Sequence, residues 1–266
     1  MCRTVLTCYI ESNCIESLIS FADSEYVMSR SKNGLSNEIS PREGHYRLSL
    51  HSTSSRLFNT DCLAIRMLRF LGPPLILKKE LNKYNLSVVF AFHIKDIGPD
   101  DSAPSPGFNS AFLSFSEIIK PKIEIRISAN VIEEIENNTC KLFFQIHSTK
   151  EMNISIINAI TGTKPSLYFG KGDCYPGGHK IQDYYCWSAE EESDDGTPDK
   201  AIKAIMDRIK NPKELGAYCK KNKLRTHIVI YYGGIYSRNI EFSIYPEFLH
   251  FCHVLNLLYL DFDFLI

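Results

Sequence analysis

The sequence is short of the features that usually announce a function. Its 266 residues carry a formal net charge of −1, so no strong field for nucleic acid acts over the whole chain. Nine cysteines include no Cys-x-x-Cys pair, and an odd number cannot all pair within one chain. That argues against a disulfide framework and for reduced, mostly buried thiols in a cytoplasmic setting. No stretch is a good membrane span: the most apolar one, Phe248 to Ile266, is interrupted by His250, His253, Asn256, Asp261 and Asp263, which are costly in hydrocarbon. Met1 to Ile10 lacks a basic region followed by a long apolar run, so no secretory signal is expected there.

What the chain does have is an apolar fraction of 44% with 23% charged residues, the composition of a globular protein with a real core. It also has an internal echo. Ile202, Ile205, Met206 and Ile209 follow the i, i+3, i+4, i+7 spacing of one buried helix face. At an offset of about 138 residues those positions become Ala64, Met67, Leu68 and Leu71. The register continues through Pro212 against Pro74, and into a strand where Leu224, Thr226, Ile228 and Ile230 face Leu86, Val88, Phe90 and Phe92. Two copies of one unit are therefore expected: residues 1–132 and 140–266, joined by a short polar linker, 133–139.

Each copy reads as β-α-β-α-β-β-α-β. Arg3 to Ile10 and Cys140 to Ile146 open as strands. Helices bearing Leu18 and Ile19, or Ile156 and Ile157, follow, the second ending at Gly162. Met28 to Glu43 and Pro165 to Lys180 read as long loops, each returning to a short strand, Tyr46 to Leu50 or Tyr184 to Ser188. After the large helix and its strand, Phe112 and Phe115 match Phe242 and Tyr245 as a further strand. The third helix starts at Pro246 in the second copy and is a stub, Ser116 to Lys120, in the first. Alternating Ile123, Ile125 and Ile127, and Leu258, Leu260, Phe262 and Phe264, close the two copies. The expected fold class is α+β: two tandem two-layer modules of helices on a sheet, related by tandem repetition or a pseudo-twofold axis.

Chemical constellations are few. His250, Cys252 and His253 share a helix face with metal-ligand spacing, but Phe248, Phe251 and Leu255 around them describe a packed helix, and no metal is expected. Cys2, Cys8 and Cys14 read as buried thiols. Gly170 to Gly178 is glycine-rich yet lacks Walker spacing and leads to a strand. No cofactor follows from it. The run Ala189 to Asp195 holds Glu190, Glu191, Glu192, Asp194 and Asp195. It reads either as a solvated loop or as an acidic finger beside Tyr184 and Tyr185, suited to a basic cleft of a protein partner.

The second half resembles the bacterial family known as domain of unknown function 4279. The likeness lies in a helix ending in Thr161-Gly162 with Lys164-Pro165 beyond it, Gly170-Lys171-Gly172, Trp187 in a short strand, and Ser243 to Glu247 leading into Leu258 to Phe264. The first half looks like a diverged copy, with Ser49 in the place of Trp187 and Lys95 to Gly107 extra. Members of that family are similar to small proteins encoded near polymorphic toxins. The resemblance therefore implies a non-enzymatic, cytoplasmic immunity protein that binds and neutralises a polymorphic or contact-delivered toxin. The expected contact residues are Glu190, Glu191, Glu192, Asp194, Asp195, Tyr184 and Tyr185. No nucleic acid, membrane or cofactor is expected, and a homodimer is compatible with this reading. The competing classes are an enzyme using the cleft between the repeats, with His179, Cys174 and Asp173 as its reactive groups, and a small-ligand-binding protein.

Overall fold

A computed structural model describes residues 3–30, 39–42, 44–55, 60–97, 107–129, 139–174, 181–193, 196–233 and 240–265. Along the first part of the chain these form β1 (Arg3–Ser12), α1 (Ile15–Ala22), α2 (Glu25–Met28), β2 (Ile39–Arg42), β3 (His45–Ser55), α3 (Thr60–Leu71), α4 (Pro74–Tyr84), β4 (Ser87–Ile97), β5 (Gly107–Asn109), α5 (Ser110–Ile119) and β6 (Lys122–Ala129). The rest forms β7 (Thr139–Ser148), α6 (Ile154–Thr161), β8 (Leu167–Phe169), β9 (Tyr185–Ser193), α7 (Pro198–Arg208), α8 (Pro212–Lys221), β10 (Arg225–Gly233), β11 (Ile240–Ile244), α9 (Pro246–Val254) and β12 (Tyr259–Leu265). The fold is α+β, as expected from the alternation of the two periodicities.

The strands make two six-stranded sheets, ordered β11-β6-β4-β1-β3-β2 and β5-β12-β10-β7-β9-β8. Each contains one parallel pair, β4 with β6 and β10 with β12, among antiparallel ones. A parallel pair needs a crossover, and α5 and α9 supply it. The compact units are not contiguous halves. One comprises Met1–Pro104, Ser114–Glu133 and Ser237–Leu249; the other comprises Ser105–Leu113, Glu134–Tyr236 and His250–Ile266. Each unit thus takes an edge strand from the other half of the chain: β11 pairs β6, and β5 pairs β12. The linker expected at 133–139 lies, up to residue 138, outside the described residues.

The core of the first unit sets Leu6, Cys8, Ile10, Phe90, Phe92, Ile123 and Ile125 of the sheet against Leu63, Ala64, Met67, Leu71, Leu77 and Leu81 of α3 and α4, all buried. In the second, Leu142, Phe144, Ile146, Trp187, Ile228 and Ile230 meet Ile157, Ala201, Ile205, Leu215 and Cys219 of α6, α7 and α8. Alternate strand residues carry each core because successive side chains point to opposite faces.

Four expectations need correction. Where one helix is expected before the strand there are two: Pro74 and Pro212 begin α4 and α8, each at the first-turn position where a missing N–H costs no hydrogen bond. Phe112 and Phe115 are helical, not stranded, because the Asn109 side chain accepts from the Phe112 N–H at 3.0 Å and starts α5. That helix has 10 residues and is no stub. The two long loops also carry short strands, β2 in the first and β8 in the second.

Candidate functional site

The acidic run is strand, not loop. Glu190, Glu191 and Glu192 lie within β9, so alternation sends them to opposite faces. Glu191 turns to the helix side, where Arg208 of α7 donates to its carboxylate at 2.9 Å. The same guanidinium donates to the carbonyls of Glu190 and Lys164, giving the Lys164-Pro165 turn a structural role. Glu190 and Glu192 face the other way and share Lys141 of β7, at 3.4 and 3.1 Å. Beside them Phe143 and Tyr231, both half-buried, stack edge to face at 5.5 Å. Asp194 and Asp195 lie outside the described residues. Tyr184 is half-buried, T-stacked on Phe169 at 5.4 Å and packed on His147 at 5.0 Å; Tyr185 is half-buried over Gly170.

Toward the other end of the same sheet face is a cavity of about 490 Å³ lined by His147, Ser148, Thr149, Asp183, Tyr184, Lys223, Arg225 and His227. These residues come from the end of β7, the entry to β9 and the turn from α8 into β10, three junctions that the β7·β9 and β7·β10 pairings bring together. The imidazoles of His147 and His227 stack at 5.1 Å. Burial, then His227 and Arg225, push His147 down to about 4; burial and Arg225 lower His227 as well. Both rings are therefore neutral near pH 7, each with one N–H to donate and one nitrogen to accept. Of the lining only Tyr184 is singled out by the sequence; nothing in the spacing of His147, Arg225 and His227 marks them. The available signal was the outward parity of His147 on β7 and of Arg225 and His227 on β10.

Among the other candidate groups, the Asp173 carboxylate accepts the Gly170 N–H at 2.6 Å, closing a turn. Cys174 is exposed and His179 lies outside the described residues. Cys252 is fully buried, whereas His250 is exposed and His253 half-buried. Among the described residues no three His, Cys, Asp or Glu side chains converge as metal ligands. Burial raises the thiols of Cys186 and Cys219 to about 12 and those of Cys8 and Cys252 further, so these four are protonated and poor nucleophiles. Cys14 is exposed, and Cys2 is undescribed.

In the first unit the corresponding face carries an ion cluster. Arg47 reaches across the sheet to Glu11 and to Glu124, whose nearest contact is 3.0 Å, and its guanidinium lies over the Tyr9 ring. Lys122 and Arg126 also approach Glu124, and Arg126 continues to Glu241 of β11 at 2.7 Å. Opposite charges are matched throughout, which makes this cluster a fastening of strands.

Compared with known protein families, characterised proteins and solved structures, the chain matches none. No helix among the described residues is long and apolar enough to cross a membrane.

Proposed function

We propose that the chain is a non-enzymatic bacterial immunity protein that binds and neutralises a cognate protein toxin in the cytoplasm, and that its two halves descend from one duplicated module. The likeness of the second half to the domain of unknown function 4279 family motivates the toxin. The observation that carries the binding role is the strip formed by Glu190, Glu192, Phe143 and Tyr231. Partly exposed aromatic rings beside a row of acids combine the holding energy of buried rings with charge that steers encounter. Glu191 supports that strip from behind through Arg208, and Tyr184 lies further along the strip's own face, whereas Tyr185 shares the parity of Trp187 and Glu191 and turns to the helix side.

The test is association with the toxin encoded beside the gene, measured at low and high salt. Glu190→Lys with Glu192→Lys should slow association at low salt and flatten its salt dependence, with thermal unfolding as the control because exposed pairs contribute little to stability. Unchanged association would remove the strip from the interface. Failure of the neighbouring toxin to bind at all would remove the immunity reading.

A further inference from the structure

The cavity at the β7, β9 and β10 junctions bears on a different ligand from the acidic strip, and its argument does not rest on the immunity reading. Its walls are rich in donors. Arg225 and Lys223 are exposed cations in its lining. Arg225 lies directly opposite His147 in the pairing of β7 with β10, and shares its strand face with His227 two residues on. Ser148 Oγ already accepts the Lys150 N–H at 3.0 Å, which leaves its hydroxyl proton to donate. Thr149 and the two neutral imidazoles add further donors. Among the described residues of the lining, Asp183 is the one anionic side chain.

The Lys223 backbone sits at φ +56, the left-handed region that favours Gly or Asn; Lys120 after α5 does the same at φ +55, while Asn85 after α4 and Asn256 after α9 meet the same need with asparagine.

We propose that this cavity binds a small phosphomonoester, its phosphate held by Arg225, Lys223 and the Ser148 and Thr149 hydroxyls, and its planar body resting on the rings of His147 and Tyr184. A dianion with only acceptor oxygens matches a wall made largely of donors, and Arg provides the forked geometry that phosphate takes up. About 490 Å³ is within the range of small-molecule sites and has room for an organic body beyond the phosphate.

The probes are phenyl phosphate and inorganic phosphate, added to the full chain. Binding is followed by calorimetry and by the imidazole NMR signals of His147 and His227. Phenyl phosphate is expected to bind more tightly than inorganic phosphate, and both should move the two imidazole titrations upward, since a nearby anion favours the protonated ring. Arg225→Gln and Lys223→Asn should each weaken phenyl phosphate by about tenfold or more, as expected for a lost charge-assisted contact. Lys223→Asn should at the same time raise the melting temperature by about 2 °C, because strain is relieved. This opposed pair of effects separates a binding role from a structural one. No response of either imidazole to millimolar probe would overturn the proposal, as would unaltered affinity in both folded variants.

Discussion

The indole Nε1 of Trp187 donates to Oδ1 of Asn158 at 2.9 Å, fastening β9 to α6 at the centre of the second unit's core. Trp187 has no exposed surface, and its ring meets Phe144 edge to face at 6.0 Å. Trp187→Ala should cost about 3–5 kcal/mol, the range for a large aromatic removed from a packed core. Asn158→Ala should cost about 1–3 kcal/mol by leaving the indole N–H buried without its acceptor. Urea unfolding of both variants checks the order; equal losses would mean that the hydrogen bond, and not the ring, dominates.

Gly216 in α8 touches the end of α9. A Cβ there would lie 2.0 Å from the Val254 carbonyl oxygen and 2.9 Å from the Leu255 carbonyl carbon. Both obstacles are backbone, so neither can swing aside. Gly216→Ala should therefore destabilise by about 1–3 kcal/mol despite alanine's higher helix propensity. A gain in denaturation midpoint would show that α8 and α9 separate easily.

Arg47 is held by two carboxylates, and its side chain and that of Glu124 are almost wholly covered. Burial alone would raise the Glu124 carboxyl, but the Arg47 hydrogen bond and charge, with Lys122, hold it below its ordinary value. Arg47→Ala should cost about 3–5 kcal/mol, since it strands a buried anion, whereas replacing Arg47, Glu11 and Glu124 together by apolar residues should recover most of that loss. The lowered Glu124 pKa makes the cluster's stabilisation complete above its unfolded value of 4.5, and lost as pH falls through the folded one. Denaturation midpoints of the single and triple variants test both statements.

His147 works in a higher pH window. Its imidazole titrates at about 4 in the folded protein against 6.5 unfolded. Between those values the unfolded chain holds more protons, so stability falls as pH drops below 6.5, and the penalty is complete below 4. Allowing for solvent screening at a partly exposed ring, the loss is on the order of 2 kcal/mol. Urea titrations at pH 7 and pH 4.5 should show it in the native protein and show less of it in His147→Gln.

Much of the local structure was legible in one dimension. The i, i+3, i+4, i+7 spacing of Ile202, Ile205, Met206 and Ile209 marked α7, and alternation marked β6, β7, β10 and β12. Burial of Ile205, Ile209, Ile123, Ile125 and Ile127 follows directly from those patterns. The errors fell where one signal admitted two conformations. Phe112 and Phe115 are three apart and suit a helix, but matching them to Phe242 and Tyr245 imposed a strand. Of that second pair, Phe242 is in β11 and Tyr245 immediately precedes α9. The acids of β9 looked like a loop because charge runs are usually solvated; Lys141 and Arg208, distant in sequence, take up three of those charges on opposite faces.

Which residues face a core is legible from the period of each segment, 3.6 for a helix and 2 for a strand. Tertiary structure alone decided which strands meet. Ile240–Ile244 pairs with β6 rather than with its own half's β12, and Gly107–Asn109 pairs with β12 rather than β6. An edge strand's alternation looks the same whichever partner it joins, so the choice is made by backbone hydrogen bonds between segments more than 100 residues apart. The same long-range pairing draws His147, Tyr184 and Arg225 to one cavity and sets Arg47 against Glu124, relationships that no local spacing contains.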